Sequence, residues 1–365
     1  MRLALELASK ALGDTSPNPV VGAVIVKDGR VVGRGYHRRA GLPHAEAEAL
    51  RQAGARARGA TMFVTLEPCA HTGRTPPCCE AIIKAGIRRV VVAMADPNPR
   101  TDGRGIAWLR RAGIQVLSGV LKEEAGRLNE PFTKYVTKRL PWVVVKIAQT
   151  LDGKIATRTG ESRWISSAAS RQLAHRLRRQ VDAIVVGVNT VRRDDPLLTA
   201  RDASRPARPH KPFKVIVDSH LRTPLTSRCL SRHSPAKTIL ATTERSSRKH
   251  APFLARGADV VVLPSSRGRV PLTRLFRELA RRYDVMSVLI EGGGEVIASA
   301  LEARLVDRVV WSIAPIITGG RSSPSSVGGE GIARLSQAVR VKEMSVRGLG
   351  GDLVVEASVA YPNSH

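Results

Sequence analysis

Short runs of apolar, β-branched residues alternate with amphipathic stretches along the first third of the chain. This alternation predicts βαβ units built on a largely parallel sheet. Near the N-terminus, Leu3, Leu7 and Ala11 share one face of a predicted helix. DG at 28–29 and DPNP at 96–99 are typical turn sequences. The predicted strands are 20–26, 61–66 and 90–94, and the predicted helices are 45–53 and 78–85.

The alternation resumes after a basic stretch that ends in Leu140-Pro141. We therefore expect two α/β domains, residues 1–140 and 141–365, which also suits a chain of 365 residues. A Gly/Ser-rich loop is expected at 319–331. The predicted strands of this part are 142–148, 183–188, 214–218, 238–242, 260–263, 288–291 and 307–313, and its helices are 167–179, 272–283 and 295–302.

The composition is typical of a soluble, globular protein, with 42% hydrophobic and 25% charged residues. The longest apolar runs are strand-sized, so no membrane association is expected. Glu6 and Lys10 interrupt any apolar core of a signal peptide, and we expect a cytoplasmic protein. The formal net charge is +28. Both halves carry the basic excess and no aromatic platform lies within the Arg-rich stretches, which favours solvated loops over a nucleic-acid surface. A small phosphorylated substrate fits the charge as well as a polyanion does.

One histidine and two cysteines in proline-bounded sequences form a candidate zinc site. His44, Cys69 and Cys78 offer three ligands and leave a coordination position open for water, as in catalytic zinc sites. Zinc lowers the pKa of such a water toward neutrality. Glu46, two residues after His44, is placed to carry protons rather than to bind metal. Prolines at 43 and 77 favour helix starts at both of the adjacent ligands.

Two alternatives to this zinc site remain open in the sequence. Cys79 adjoins Cys78 and could replace it as the ligand, although neighbouring helical residues point about 100° apart and only one should face the metal. His71 could supply a fourth ligand and close the site into a structural one. That arrangement would leave Glu46 without a role.

Three segments of the first half resemble the deaminase half of the bifunctional riboflavin-biosynthesis deaminase/reductase family. They are SPNPVVGAVIV (16–26), GYHRRAGLPHAE (35–46) and TLEPCAHTGRTPPC (65–78), and DPNP at 96–99 also matches. The resemblance implies a cytidine-deaminase-like α/β/α domain in which His44, Cys69 and Cys78 bind Zn²⁺ and Glu46 is catalytic. It further implies substrate contacts at Asn18, His37, His71 and Arg74.

The second half resembles the reductase half of the same family. The matching segments are TLDGKIA (150–156), GESRWIS (160–166), VGVNTVRRDDPLLT (186–199), VDS (217–219) and IEGGG (290–294). The resemblance implies a dihydrofolate-reductase-like α/β domain that uses NADPH, and assembly into a homodimer or higher homo-oligomer through this half. The implied cofactor contacts are Ala148, Trp164, Thr190, Asp194, Ser219, Gly292, Gly293 and Gly294. The implied substrate contacts are Ser162, Arg178, Leu198, Arg201 and Glu291.

Residue chemistry adds detail to the second half. Lys146, Asp152 and Glu291 are candidate polar catalysts near a strand end and a Gly-rich turn, and guanidinium groups such as Arg178 and Arg201 suit a substrate phosphate. The expected activity is zinc-dependent hydrolytic deamination of a diaminopyrimidinone ribosyl phosphate, followed by NADPH-dependent reduction of ribosyl to ribityl. Two rival hypotheses are a nucleic-acid deaminase and a non-catalytic polyanion-binding protein with a structural zinc.

Overall fold

The computed structural model of the protein describes residues 1–70, 77–99, 101–200, 211–231 and 236–362. The chain divides into two compact units, Met1–Leu140 and Pro141–His365. Both units are mixed α/β, as the sequence predicts. Within the described ranges, no helix combines the length and the apolar character needed to cross a membrane.

The first unit is a sheet covered by helices on both faces. Alternate side chains of β1 show this: Ala23 and Ile25 join the core shared with α2, α3 and α4, whereas Val24 packs against α1. The strands are β1 (Gly22–Lys27), β2 (Arg30–Tyr36), β3 (Thr61–Leu66), β4 (Arg89–Met94) and β5 (Gln115–Ser118). The helices are α1 (Arg2–Ser9), α2 (Ala45–Ala53), α3 (Cys78–Lys84), α4 (Arg104–Arg111), α5 (Lys122–Leu128) and α6 (Glu130–Lys138).

The five described strands of this unit lie in the order β2-β1-β3-β4-β5. β3 is parallel to β4, and β4 is parallel to β5. β1, however, is antiparallel to both β2 and β3. The prediction of a largely parallel sheet is therefore wrong for this side of the unit. The physical reason is the turn at Asp28-Gly29, where positive φ angles at both residues close a tight β1–β2 hairpin and leave no room for a crossover helix.

Two glycines on β2 determine how closely α2 approaches the sheet. A Cβ atom on Gly33 would lie 2.3 Å from the carbonyl oxygen of Ala49, and one on Gly35 would lie 2.2 Å from that of Ala45. Any side chain at these positions would push the helix away. The close approach places the first turn of α2, with its functional residues, directly against the sheet.

The second unit is built on a larger sheet. Its strands are β6 (Trp142–Thr150), β7 (Ala183–Gly187), β8 (Phe213–Val217), β9 (Thr238–Thr242), β10 (Asp259–Val262), β11 (Ser287–Glu291), β12 (Arg308–Ala314), β13 (Arg340–Leu349) and β14 (Asp352–Ala360). Its helices are α7 (Ala168–Gln180), α8 (Val188–Asp194), α9 (Ser247–Leu254), α10 (Leu272–Tyr283) and α11 (Gly294–Glu302).

The described strands of the second sheet lie in the order β10-β9-β8-β7-β11-β6-β12-β14-β13. Pairing is parallel from β10 through to β12 and antiparallel where β14 joins β12 and β13. The final hairpin is absent from the predicted elements. β13 is exposed along almost its whole length, so it lacks the apolar run by which buried strands are recognised.

The parallel strands in the middle of this sheet are largely buried. β7 and β11 are buried at every position, and β8 and β9 contribute further apolar side chains to the same core. Strands covered on both faces produce the continuous Val- and Ile-rich runs that the sequence shows. The carboxyl ends of parallel strands meet along one edge of a sheet, where ligands commonly bind.

Candidate active sites

The first site forms where two helices begin beside the end of a strand. His44 immediately precedes α2, Cys78 is the first residue of α3, and Cys69 follows β3. Their ligand atoms all lie within 4.8 Å of one another. His44 Nδ1 is 3.2 Å from Cys78 Sγ and 3.7 Å from Cys69 Sγ. Three soft or borderline donors converging in this way fit the ligand set of a zinc ion.

The electrostatics of the cluster favour a thiolate at Cys69. A hydrogen bond from Cys78 lowers the pKa of Cys69 to about 4, and the same bond raises the pKa of Cys78. The hydrogen bond with Cys69 raises the pKa of His44. A cluster that already holds one thiolate is prepared to accept a divalent cation, because thiolate is the form of cysteine that binds metal.

Glu46 lies beside this cluster in the first turn of α2 and is only 3% exposed. Burial, followed by the negative charge of Cys69, raises the pKa of its carboxyl group. A raised pKa makes the carboxyl group hold a proton more readily, which suits a residue that must accept a proton and return it in general acid–base catalysis.

His37 connects the cluster to the loop before β1. Its Nδ1 lies 3.1 Å from the carbonyl oxygen of Pro43, and its Nε2 lies 3.0 Å from Asn18 Nδ2. A carbonyl only accepts, so Nδ1 carries the proton and Nε2 accepts from Asn18. The His37 and His44 rings meet edge to face, with centroids 5.3 Å apart. His37 is buried, and burial lowers its pKa.

Cys79 faces away from the metal cluster. Its thiol is fully buried and donates to the carbonyl oxygens of Pro68 and Gly105. Among the described residues, the candidate metal-binding group contains Cys78 and not its neighbour. His71 and Arg74 lie outside the described residues, and their predicted substrate contacts stay predictions.

The second site is a cavity of about 1230 Å³ in the second unit. It opens at the carboxyl ends of β7, β8 and β11 and continues along β6. Almost all of the predicted reductase residues line it: Lys146, Ala148, Ser162, Trp164, Arg178, Thr190, Asp194, Leu198, Ser219, Glu291, Gly292, Gly293 and Gly294.

The described lining of this cavity does not include the two other predicted reductase residues, Arg201 and Asp152. Arg201 lies outside the described residues. Asp152 is not among the described residues that line the cavity. Its carboxylate accepts hydrogen bonds from Thr150 Oγ1 and from the backbone N–H groups of Thr318 and Gly319, and the bond from Thr150 lowers its pKa. These contacts join two loops, and a catalytic role for Asp152 stays a prediction.

A buried ion pair lies within the cavity. Glu291 Oε2 accepts from Nε of Arg178 at 2.7 Å and lies 2.6 Å from Nη2 of the same side chain. Arg178 also donates to the carbonyl oxygen of Thr199. The other carboxylate oxygen of Glu291 is buried without a hydrogen-bond partner among the described residues. Burial lowers the pKa of the nearby Lys146, an effect that the charge of Glu291 partly offsets.

The Gly-rich turn after β11 fits the approach of a dinucleotide. Gly293 has a φ of 80°, and a Cβ on Gly294 would lie 3.0 Å from both Gly328 N and Ser325 O. Gly294 thus packs closely against the 325–328 segment, and the glycines at 292–294 add no side chain at the N-terminus of α11, where N–H groups favour phosphate. Across the cavity, Trp164 is 70% exposed and packs against the guanidinium of Arg171, 4.6 Å from its ring centroid. Sequence reasoning overlooked this arginine.

Comparisons with known proteins match both units of the chain. Residues 1–94 match the cytidine and deoxycytidylate deaminase zinc-binding region, and residues 141–355 match the RibD C-terminal domain. The riboflavin biosynthesis protein RibD of Aquifex aeolicus is 46% identical over 355 residues, which cover 97% of this chain and 96% of that protein.

Solved structures of similar fold cover almost the full length of the chain. RibD of Acinetobacter baumannii superposes with a TM-score of 0.88 at 36% identity, covering 98% of this chain and 97% of that one. A diaminohydroxyphosphoribosylaminopyrimidine deaminase/5-amino-6-(5-phosphoribosylamino)uracil reductase of Thermotoga maritima gives 0.84 at 36% identity, with coverage of 99% and 97%. The chain therefore belongs to the RibD family of riboflavin biosynthesis proteins, with a zinc-binding deaminase domain followed by an NADPH-dependent reductase domain.

Proposed function

We propose that residues 1–140 deaminate 2,5-diamino-6-ribosylamino-4(3H)-pyrimidinone 5′-phosphate and that residues 141–365 reduce the ribosyl side chain of the product to ribityl. The final product is 5-amino-6-(5-phosphoribitylamino)uracil. One observation carries the proposal: a His/Cys/Cys cluster beside a buried carboxyl group and a large cavity beside a Gly-rich turn occur in one chain. The two activities named for the Thermotoga maritima protein support the same pairing.

His44, Cys69 and Cys78 hold the zinc ion in this proposal. When bound, zinc supplies Lewis acidity that makes water nucleophilic near neutral pH, and NADPH supplies a hydride at the second site. Glu46 takes a proton from the attacking water, whose oxygen bonds to C2 of the pyrimidine. It then returns the proton to the amino group as the C2–N bond breaks and ammonia leaves. The raised pKa of the Glu46 carboxyl group supports both transfers.

Asn18 and His37 are proposed to orient the pyrimidine, together with His71 and Arg74. The hydrogen-bond chain from Pro43 through His37 to Asn18 holds both side chains in one orientation. The hydrogen bond from His37 also holds the carbonyl group of Pro43, the residue before His44. Fixed polar groups recognise a heterocycle without the entropy cost of ordering them on binding.

In the reductase site, a proton must reach the imine nitrogen as hydride adds to C1 of the opened ribose. Lys146 and Glu291 are proposed for this proton, because both are largely buried and line the cavity. Arg178 holds Glu291 in position through two short contacts. Ser162, Leu198 and the arginines contact substrate, and Trp164, Thr190, Asp194, Ser219 and the three glycines contact NADPH.

A homodimer through the reductase domain, in the cytoplasm, completes the proposal. Support comes from large apolar side chains that are exposed on β13 or just before it, namely Leu335, Val341, Met344 and Val346. Single exposed apolar residues are ordinary, but several along one strand are typical of a protein interface. Edge strands left unpaired also invite association.

A coupled assay that follows ammonia release and NADPH oxidation on the pyrimidine substrate tests the proposal. The parent chain should show both signals in sequence. Glu46→Gln should release ammonia about 10²- to 10⁴-fold more slowly while retaining zinc. The same variant should oxidise NADPH at the parent rate when given the deaminated compound. Parent-rate ammonia release by Glu46→Gln with zinc bound would contradict the deaminase mechanism.

A further inference from the structure

Glu67 has no role in the chemistry proposed above, yet it lies two residues before the ligand Cys69. It directly follows β3, and its backbone N–H donates to the carbonyl oxygen of Met94. The residue is only 3% exposed. A carboxylate placed in a protein interior is costly unless hydrogen bonds replace its hydration. The contacts of this side chain therefore need an explanation.

Each carboxylate oxygen of Glu67 accepts two backbone hydrogen bonds, four in all. Oε2 accepts from Asp96 N at 3.1 Å and from Gly103 N at 3.0 Å. Oε1 accepts from Gly105 N at 2.8 Å and from Ile106 N at 3.1 Å. The donors belong to the turn after β4 and to the first turn of α4, where N–H groups lack partners within the helix. One side chain thus joins both segments to the end of β3.

The segments that Glu67 joins also contact the ligand loop, the segment Pro68–Cys69 that carries the candidate zinc ligand Cys69. A Cβ on Gly105 would lie 2.0 Å from the carbonyl oxygen of Pro68, so α4 touches the peptide next to Cys69. From the other side, Cys79 Sγ donates to the same carbonyl oxygen, and Cys79 N donates to that of Cys69 at 3.2 Å. The loop is held between α3 and α4.

We infer that Glu67 is a positioning residue, which holds Cys69 at the distance from His44 and Cys78 that metal binding requires. The inference rests on the proposed zinc site. Cys69 Sγ has one backbone donor of its own, Cys78 N at 3.3 Å, and the peptide before it is held against α4, which Glu67 anchors. Residues behind metal ligands typically contribute about 10- to 100-fold to metal affinity or activity.

The test compares Glu67→Gln with the parent in the full chain. Glutamine keeps the shape but turns an NH₂ group toward two of the four N–H donors, so the anchor is weakened without a cavity. Zinc affinity, measured by competition with a chromogenic chelator, should fall about 10- to 100-fold. The absorption spectrum of the Co²⁺-loaded variant should shift, since it reports ligand geometry at the metal. NADPH binding to the other unit should not change.

Asn129→Ala is the matched control. Asn129 is a buried side chain of the same unit that accepts from Val20 N and donates to Val20 O, so its loss also destabilises the unit. Its side-chain hydrogen bonds within the described part of the chain go to Val20 and Ala125 rather than to the segment around Cys69, so the zinc affinity and Co²⁺ spectrum of this variant should match the parent. Gly105→Ala should also weaken zinc binding, because its Cβ would displace the Pro68 carbonyl and lie 3.2 Å from Glu67 Oε1, although the charge of Glu67 is kept.

Three outcomes separate the possibilities. Glu67→Gln with parent zinc affinity and an unchanged Co²⁺ spectrum, but a lower unfolding temperature, would overturn the inference and leave Glu67 as a helix anchor alone. A parent chain that binds no zinc would instead overturn the proposed site. Should Glu67→Gln not fold, Glu67→Asp keeps the charge on a shorter arm, and parent affinity in that variant would equally contradict the inference.

Discussion

Replacing Glu291 with glutamine tests the buried ion pair of the reductase cavity. Glu291 and Arg178 have side-chain exposures of 8% and 19%, and both nitrogen contacts fall on one carboxylate oxygen. Glutamine preserves the size of the side chain and can accept one hydrogen bond. The guanidinium of Arg178, however, loses the negative charge of Glu291 at a site that is largely shielded from water.

The expected cost follows from this geometry. Removing one partner of a fully buried pair typically costs about 3–5 kcal/mol. The partial exposure of Arg178 and the acceptor that glutamine retains reduce this to about 2–3 kcal/mol, the range of hydrogen bonds to charged groups. For a domain of about 150–250 residues, each kcal/mol lowers the unfolding midpoint by about 2–4 °C, which gives a shift of roughly 4–12 °C.

Thermal unfolding followed by tryptophan fluorescence measures the shift, since Trp142, Trp164 and Trp311 lie in this unit. Glu278→Gln is the control. It breaks an ion pair within α10 between Glu278 and Arg281, whose side chain is 71% exposed, and the unfolding midpoint should stay unchanged. A Glu291→Gln midpoint within 1 °C of the parent would refute the reasoning, because Arg178 would then be stable without its countercharge.

Two further predictions concern the zinc ligands and the proposed dimer. Cys78→Ser should lose bound zinc, whereas Cys79→Ser should retain it, because the Cys79 thiol faces Pro68 O and Gly105 O, to which a serine hydroxyl can also donate. The zinc content of the purified proteins is the measurement, and the reverse result would make Cys79 the ligand. Val346→Asp on the exposed face of β13 should convert a dimer into a monomer in light scattering, while Leu254→Asp on α9, also an exposed apolar position, should not. Dimers that persist in Val346→Asp would place the interface elsewhere.

Local patterns predicted many elements of the fold closely. The helix predicted at 45–53 is α2, and the predicted start of α3 at residue 78 is also observed. Both begin beside prolines, whose restricted φ angle is suited to a helix start. The candidate ligands could therefore be picked out from the sequence, since His44 and Cys78 lie at these helix starts and Cys69 follows a predicted strand. Apolar runs likewise revealed the buried strands β7, β8 and β11.

Other features had no local signal. β13 lacks the apolar alternation of a half-buried strand, because much of its surface is exposed, and so the final hairpin was overlooked. The turn at Asp28-Gly29 was recognised, but the pairing of β1 with β3 was not, since strand order depends on contacts between distant residues. The sequence placed Asp152 among the candidate catalysts, but it did not reveal that two of its three observed hydrogen-bond donors lie in a loop more than 160 positions away.

The sequence by itself predicted many strands and helices of the two α/β units, the candidate zinc ligands and the family to which the chain belongs. Only the tertiary structure decided which distant side chains hold the residues of the two candidate sites in place. The carboxylate of Glu67 meets donors 29 to 39 positions away, and Arg178 meets Glu291 across 113 positions. Helix starts and buried strands follow from neighbours along the chain, but such partners follow from the packing of the whole unit.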